Sequence, residues 1–182
     1  SPDEIGGVSR VIVELCRVMK LEGQYEPYVL VIDWSALSPT FVTKKYYTEI
    51  RYRLRPCQLN LNKASLSFIL TLPVTLFTLY RLLKSLHITV INVHYPNLTS
   101  IYFAILRFLG WHGKFLISFH GSDVQEITHN FSSHSKDWQF IFRYVDKVVT
   151  CSKGLKAEII VQLPIDKECI DFVHNSVSSN FF

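Results

Sequence analysis

The regular alternation of short apolar runs with stretches of helical periodicity is the feature that most limits the folds open to this chain. Apolar, strand-like runs occupy residues 28–32, 88–93, 115–119, 147–151 and 170–173, with a shorter run at 50–54. Helical spacing occupies residues 8–22, 64–86, 97–109, 138–144 and 152–163. Residues 33–45 and 128–136 are predicted as loops. This order predicts an α/β fold, a Rossmann-like parallel sheet with helices on both faces.

The length predicts a single domain over residues 1–182, with two small domains as the alternative. The hydrophobic fraction of 48% provides a substantial core, while the charged fraction of 19% is low for a soluble domain. The low charge indicates either large buried strands or a surface that meets a membrane or another domain. Gly6 and Gly7 lead into the first helix with no strand before them, so we expect either that the domain has lost its first strand or that this strand precedes Ser1.

Basic residues cluster with tyrosines at residues 44–47 and 51–55, and the formal net charge is +4. One interpretation is an exposed edge strand whose charges prevent pairing with other chains. The other is a surface for anionic lipid or phosphate, with tyrosines at the interface. The sequence shows no zinc-ligand spacing and no helix–turn–helix pattern, so nucleic acid is not an expected partner.

The four cysteines, Cys16, Cys57, Cys151 and Cys169, show no paired spacing. All but Cys57 lie in apolar patterns that predict buried free thiols, which indicates a reducing, cytoplasmic compartment. The apolar run at residues 66–80 is shorter than the roughly 20 residues of a spanning helix and contains Pro73. It is predicted as a buried or interfacial helix, broken or kinked near Pro73, and peripheral contact with the inner face of a membrane stays open.

The strand at residues 115–119 runs directly into a polar turn made of His120, Gly121, Ser122 and Asp123. Ligands of open α/β sheets bind where strands reach the carboxyl edge. Gly121 permits close approach of the backbone to a ligand, and Ser122 with Gln125 has the form of a capping box that starts a short helix. Because an imidazole at this position can donate or accept a proton, His120 and Asp123 form the favoured catalytic pair.

Other polar residues follow neighbouring predicted strands and would reach the same edge of the sheet. They are His94 and Tyr95, Ser152, and Asn175. Each has a structural interpretation too: His94 as a core or hinge residue, Ser152 as a helix cap and Asn175 as a turn residue. Gly6 and Gly7 add backbone N–H groups at a helix start, which suit an anion.

Several chemistries lack their sequence patterns. The dinucleotide-binding glycine motif, the phosphate-binding loop of nucleoside triphosphatases and the nucleophile elbow of hydrolases are all absent. No aspartate pair is spaced to hold a divalent metal on a nucleotide, and the histidines lack metal-ligand spacing. We therefore expect neither a metal nor a bound cofactor.

Five segments, in this order, resemble the N-terminal half of the family 4 glycosyltransferases. They are residues 5–17 around Gly6-Gly7, residues 90–96 with His94-Tyr95-Pro96, residues 117–123 with His120-Gly121-Ser122-Asp123, residues 145–152, and residues 172–177 with Phe181. Enzymes of this family have two Rossmann-like domains that face each other across a cleft, the GT-B fold. The resemblance implies that residues 1–182 are the acceptor-binding N-terminal domain, with the nucleotide-sugar-binding C-terminal domain outside this chain.

The resemblance also implies roles for individual residues. Gly6 and Gly7 would approach the donor diphosphate, and His120 would lie against the donor sugar near the reacting carbon. Transfer from a nucleotide sugar to a saccharide or lipid-linked acceptor would retain the anomeric configuration and need no metal. The family pattern Asn-Gly-Val-Asp reads Asn175-Ser176-Val177-Ser178 here, which leaves the hinge and donor contacts of this stretch open.

Two alternatives stay open at this point. A nucleotide-sugar epimerase of the same architecture would show similar motifs, and a non-catalytic Rossmann-like interaction module would keep the cleft without the activity. Without its C-terminal domain, the chain is not expected to transfer sugar by itself.

Overall fold

The structure, a computed structural model, describes residues 7–56 and 63–174. The chain forms two compact units, Ser1–Arg55 and Pro56–Phe182, each with its own β-sheet. The predicted Rossmann-like α/β class is confirmed, because the second unit contains a parallel sheet flanked by helices. The assignment of residues 1–182 to a single domain stays a prediction.

The first unit consists of one helix and a three-stranded sheet. Helix α1 spans Gly7–Glu22 and ends at Gly23, which has a φ of +70°. Strands β1 (Tyr28–Ile32) and β3 (Thr48–Tyr52) are parallel, and β2 (Thr40–Thr43) runs antiparallel to β3. The predicted first helix and first strand are confirmed.

Two interpretations of the first unit are wrong. Residues 33–45 were predicted as a loop but contain β2, which pairs with β3 through its backbone while its side chains stay exposed. The basic strand was interpreted as an edge strand, yet β3 lies in the middle of the sheet, because it pairs with both β1 and β2. Its Ile50 and Tyr52 side chains are buried. Arg51 Nε donates to the carboxylate of buried Glu49 at 2.6 Å, so part of the basic cluster balances a charge within the unit.

The second unit is built on four parallel strands. In sheet order these are β4 (Val90–His94), β5 (Lys114–Phe119), β6 (Lys147–Thr150) and β7 (Ile170–Phe172), close to the predicted bounds. The helices are α2 (Lys63–Ser85), α3 (Ile101–Phe108), α4 (Ser122–Arg143) and α5 (Lys153–Gln162). Because consecutive strands pair in chain order and are all parallel, their carboxyl ends lie at one edge of the sheet.

Strand β5 is the most buried element of this sheet. Phe115, Ile117 and Phe119 are each no more than 1% exposed. Val124 and Ile141 of α4 are completely buried as well. Apolar packing on this scale fixes the position of the strand and of the residue that follows it, His120.

Helix α4 runs through a segment that the sequence predicted as a loop. Residues 128–136 are mostly polar, which suggested a loop, but Ile127 and Trp138 on either side are buried. These two residues and Phe131 recur at helical spacing, so the polar residues occupy the opposite face. The helix bends at His134, whose φ of −129° departs from helical values.

Helix α2 continues through Pro73 without the predicted break. It buries one face through Phe68, Leu79 and Leu83. The exposed face carries large apolar side chains: Leu66, Ile69, Leu70, Val74, Phe77 and Tyr80. Among the described residues, only the stretch Leu66–Ser85 has the length and the apolar composition that a membrane-crossing helix needs. Core helices of soluble proteins can meet the same criteria.

Candidate functional site

The candidate site lies where β4 and β5 end, at the carboxyl edge of the parallel sheet. His94 is the last residue of β4 and is the register partner of Ser118 in β5. Its Nδ1 atom lies 3.0 Å from Nε2 of His120, and the two rings stack with their centroids 5.3 Å apart. The fold thus brings together two predicted site residues that are 26 positions apart in the sequence.

Tyr95 joins this pair of histidines. Its ring stacks on His120 with an angle of 8° between the ring planes and 6.1 Å between the centroids. Its hydroxyl forms a hydrogen bond with the hydroxyl of Ser122, which links the ends of β4 and β5. Tyr95 has a φ of +57°, a costly conformation for a bulky residue that the surrounding contacts must hold.

Asp123 organises the turn after β5. Its side chain is 1% exposed, and its carboxylate accepts hydrogen bonds from the backbone N–H groups of His120 at 3.0 Å, Gly121 at 2.8 Å and Val124 at 3.1 Å. These charge-assisted bonds satisfy the donors of a buried turn and hold His120 in place. The catalytic role predicted for Asp123 stays a prediction, and its contacts favour a positioning role.

The capping box predicted from Ser122 and Gln125 is wrong. Helix α4 begins at Ser122 itself, and its N-cap is Gly121, which has no side chain to cap the helix. Gly121 has a φ of +127°, a conformation that favours glycine, and Asp123 bonds the N–H groups of the turn from inside the helix. The helix that starts here is also long rather than short.

We expect Gly121→Ala to lower the free energy of unfolding by about 2 kcal/mol, because a φ of +127° is strained for a residue with a Cβ. No atom lies within 4 Å of the added Cβ, so the cost is conformational rather than steric. Gly154→Ala is the matched control, since Gly154 lies inside α5 and should gain about 0.5–1 kcal/mol. Urea unfolding measures both variants, and equal effects would contradict this account of the turn.

The two histidines are held in their neutral form. Burial lowers the pKa of His94 to about 4, and repulsion from His120 adds to this effect. Burial also lowers the pKa of His120, although the nearby Asp123 carboxylate acts in the opposite direction. At neutral pH each ring therefore carries one N–H donor and one acceptor nitrogen.

We expect the protein to lose stability as the pH falls from about 6.5 to about 4. In this window the unfolded chain protonates His94 and the folded chain does not, so acid favours the unfolded state. The contribution is fully present above the ordinary pKa of 6.5 and is at most about 3 kcal/mol. His94→Gln should show a shallower fall in the free energy of unfolding between neutral pH and pH 4. The same pH dependence in both proteins would contradict a buried, neutral His94.

The end of β6 lies beside the same turn. The Cys151 thiol donates to the backbone carbonyl of His120 at 3.8 Å. Ser152 is the N-cap of α5, and its hydroxyl oxygen accepts from the backbone N–H of Leu155 at 3.1 Å. Its predicted capping role is confirmed, while its contact with a ligand stays a prediction.

The remaining candidate residues are Gly6, Gly7 and Asn175. Gly7 is exposed and is the first residue of α1 in the first unit. Gly6 and Asn175 lie outside the described residues. The ligand contacts predicted for all three stay predictions.

Sequence reasoning missed two residues at the site, Asn92 and Ser118. Asn92 Nδ2 lies 3.2 Å from His94 Nε2, and the Ser118 hydroxyl donates to Asn92 Oδ1 at 2.9 Å. The signal was present in the sequence, because each is a polar residue inside an otherwise apolar strand. A polar group in a buried strand needs a hydrogen-bond partner, so the two could have been matched across neighbouring strands.

No metal cluster is found among the described residues, and the described cavity lies away from the histidines. Over residues 7–56 and 63–174, no three His, Cys, Asp or Glu side chains converge closely enough to hold a metal ion. A cavity of about 290 Å³ is lined by residues that include Arg143, Val148 and Cys169. Because these residues precede or begin β6 and β7, the cavity lies at the amino edge of the sheet, opposite the histidine pair.

The parallel sheet, its flanking helices and the polar groups at its carboxyl edge define a Rossmann-like domain of the kind that forms one half of a GT-B fold. The model of the family described as Glycosyltransferase Family 4 matches residues 5–181. The chain therefore belongs to glycosyltransferase family 4, as the resemblance of its motifs predicted. A comparison with curated proteins finds no significant match.

Proposed function

We propose that the chain is the acceptor-binding domain of a retaining glycosyltransferase, which moves a sugar from a nucleotide-sugar donor to a saccharide or lipid-linked acceptor. The observation that carries the proposal is the imidazole of His120, held at the carboxyl edge of the sheet by Asp123, His94 and Tyr95. Membership of the family supports a glycosyltransferase type of function. The assembly of a surface polysaccharide or glycolipid would use such an acceptor.

The arrangement suits the charges that develop during transfer. Breaking the bond between sugar and diphosphate leaves positive charge on the sugar and negative charge on the diphosphate. A neutral His120 adds no positive charge beside the sugar, yet it can still donate a hydrogen bond to a sugar oxygen. Backbone N–H groups where Gly6 and Gly7 lead into α1 would stabilise the diphosphate, so the proposal involves no metal and no bound cofactor.

A second domain completes the proposed enzyme. The protein's own C-terminal domain would bind the nucleotide and close over the cleft. Closure excludes water, which would otherwise hydrolyse the donor. For this reason we expect residues 1–182 alone to transfer no sugar.

The test is product analysis with the full-length enzyme, a panel of nucleotide sugars and candidate acceptors. We expect a transferred sugar whose anomeric proton, followed by NMR, keeps the configuration of the donor. Inversion would overturn the retaining mechanism. Interconversion of nucleotide sugars without an acceptor would identify an epimerase, and an absence of both turnover and donor binding would identify an interaction module.

We also infer a cytoplasmic location with peripheral contact at the inner face of a membrane. The thiols of Cys16, Cys151 and Cys169 are free, which suits a reducing compartment. The exposed face of α2 combines large apolar side chains with a cation, Arg81, which lies over the ring of Phe77 at 5.7 Å. Such a face suits an anionic membrane surface, where a lipid-linked acceptor would be presented.

Val74→Glu is expected to weaken binding to anionic phospholipid vesicles about tenfold, because a carboxylate on the apolar face would have to be desolvated at the interface. Val161→Glu is the matched control: Val161 is also an exposed valine on a helix, but it lies on α5. Vesicle cosedimentation measures both variants. Unchanged binding of Val74→Glu, or an equal loss with Val161→Glu, would contradict membrane contact through α2.

A further inference from the structure

A chain of hydrogen bonds runs from the interior of β5 to the ring of His120. The Ser118 hydroxyl donates to Asn92 Oδ1 at 2.9 Å, and Asn92 Nδ2 lies 3.2 Å from His94 Nε2. His94 Nδ1 then lies 3.0 Å from His120 Nε2. We propose that Asn92 and His94 fix the tautomer of His120, so that His120 presents Nδ1–H to a bound ligand.

The orientation of the Asn92 amide follows from Ser118. Ser118 is 5% exposed, and a buried hydroxyl hydrogen needs an acceptor. The acceptor that the structure provides is Asn92 Oδ1. The amide NH₂ group of Asn92 therefore points towards His94 Nε2.

The orientation of the Asn92 amide determines the tautomer of His94, which in turn determines the tautomer of His120. An amide NH₂ only donates, so His94 Nε2 must be the acceptor and the proton of neutral His94 must lie on Nδ1. His94 Nδ1–H then donates to His120, so His120 Nε2 is also an acceptor. The proton of neutral His120 therefore lies on Nδ1. Burial lowers the pKa of both rings, which keeps both histidines in the neutral form that this reasoning requires.

This tautomer limits what His120 can do chemically. Its only basic lone pair is occupied by His94, so the ring is unsuited to removing a proton from an acceptor hydroxyl. Its Nδ1–H has no partner among the described residues and is available as a donor. The ligand atom that it fits is an oxygen with a free lone pair, such as a hydroxyl oxygen of the donor sugar. The identity of this oxygen rests on the proposed function, whereas the tautomer does not.

His94 and Asn92 are thus positioning residues for His120. The rings of Tyr95 and His94 both stack on His120, at interplanar angles of 8° and 27°, and hold its plane. The hydrogen-bond chain adds the direction of its N–H group. The residues that stack on His120 and those that set the direction of its N–H group all belong to strand β4 and the loop that follows it.

The test is a long-range ¹H–¹⁵N correlation spectrum of the imidazole rings, recorded at about pH 8.5 so that free histidines are neutral. His94→Gln and His120→Gln variants assign the signals. We expect both His94 and His120 to show the Nδ1–H pattern in the wild-type chain. An Nε2–H pattern for His120 would overturn the proposal, and this measurement needs no substrate.

Asn92→Asp provides the decisive variant. A carboxylate can only accept, so the proton of His94 should move to Nε2, where it donates to that carboxylate. His94 Nδ1 then becomes an acceptor. The proton of His120 should therefore lie on Nε2, so both tautomers are reversed. Asn130→Asp is the matched control, because Asn130 is exposed on α4 and donates to the Glu126 carbonyl at 3.1 Å. It should leave both tautomers unchanged. A folded Asn92→Asp protein, with a dispersed amide spectrum but unchanged tautomers, would overturn the proposal that Asn92 and His94 fix the tautomer of His120. This hydrogen-bond chain from Asn92 through His94 to His120 is called the relay below.

The consequence for activity is tested separately in the full-length enzyme. Because the tautomer of His120 is reversed in Asn92→Asp, this variant should have a kcat that is lower by about tenfold or more, while Asn130→Asp should not. Normal turnover with reversed tautomers would overturn the donor role of His120 but not the relay. If the full-length protein transfers no sugar at all, the proposed function fails while the tautomer measurement still decides the relay.

Discussion

Replacing His120 with alanine in the full-length enzyme is expected to lower kcat by about 10²–10³-fold, the usual effect of removing a preorganised donor from a transition state. Contacts with described residues orient the His120 ring and leave its Nδ1–H free to bind a ligand. Its Nε2 and its backbone N–H are bonded by His94 and Asp123, and its Nδ1–H is not used by any described residue. Steady-state kinetics with a single donor and acceptor measures the effect.

His129→Ala is the control for this substitution. His129 is also a histidine of the second unit, but it is exposed on α4 and lies away from the turn. We expect it to change kcat less than twofold. Loss of activity in both variants, or full activity in His120→Ala with an unchanged melting temperature, would contradict the assignment of His120 to the reaction.

The largest effect on stability is expected for Asp123→Asn, which should lower the free energy of unfolding by about 2–4 kcal/mol. The carboxylate receives backbone N–H groups on both oxygens in a nearly inaccessible position. Asparagine keeps the volume but turns an NH₂ group towards those donors, which leaves at least one buried N–H group unsatisfied. Urea unfolding monitored by tryptophan fluorescence gives the value.

Asp166→Asn is the matched change at an exposed position. Asp166 accepts the backbone N–H of Glu168 at 3.0 Å as the N-cap of a short 3-10 helix. Asparagine caps a helix about as well as aspartate, so the expected change is below about 0.5 kcal/mol. A similar small effect for Asp123→Asn would show that the turn does not depend on the buried carboxylate.

The strands were predictable from the sequence because burial leaves a simple signal. The runs around Ile117 and Val148 are largely apolar on both faces, as expected for a parallel sheet covered by helices. Parallel order then places the strand ends at one edge, and this was enough to predict that His94 and His120 belong to one site. The contact between their rings shows that the two residues lie together, while their functional role stays a prediction.

Other features depended on information that local patterns do not carry. The polar stretch around Ser132 has the composition of a loop, and it is helical because Ile127 and Trp138 are anchored in the core on either side. Strand β2 has no buried face and exists because it pairs with β3. The role of Asp123 as a backbone acceptor required the positive φ of Gly121, which the sequence permits but does not impose.

Asn92 shows where sequence reasoning stopped short. A single asparagine between apolar residues indicates a buried polar group. Its hydrogen-bond partner on the neighbouring strand depends on the register of the two strands. Here Asn92 pairs with Leu116 and His94 pairs with Ser118. Two adjacent strands must be aligned before Ser118, Asn92 and His94 form a chain. The prediction of a site at this edge was therefore attainable, and the prediction of its internal hydrogen bonds was not.

The most direct measurement is a crystal structure of the full-length enzyme with an intact nucleotide sugar bound. The account predicts that an oxygen of the transferred sugar lies within about 2.7–3.2 Å of His120 Nδ1, with the His94–His120 contact preserved. A donor sugar bound away from His120, or one that contacts His120 only after the His94 contact has broken, would contradict it.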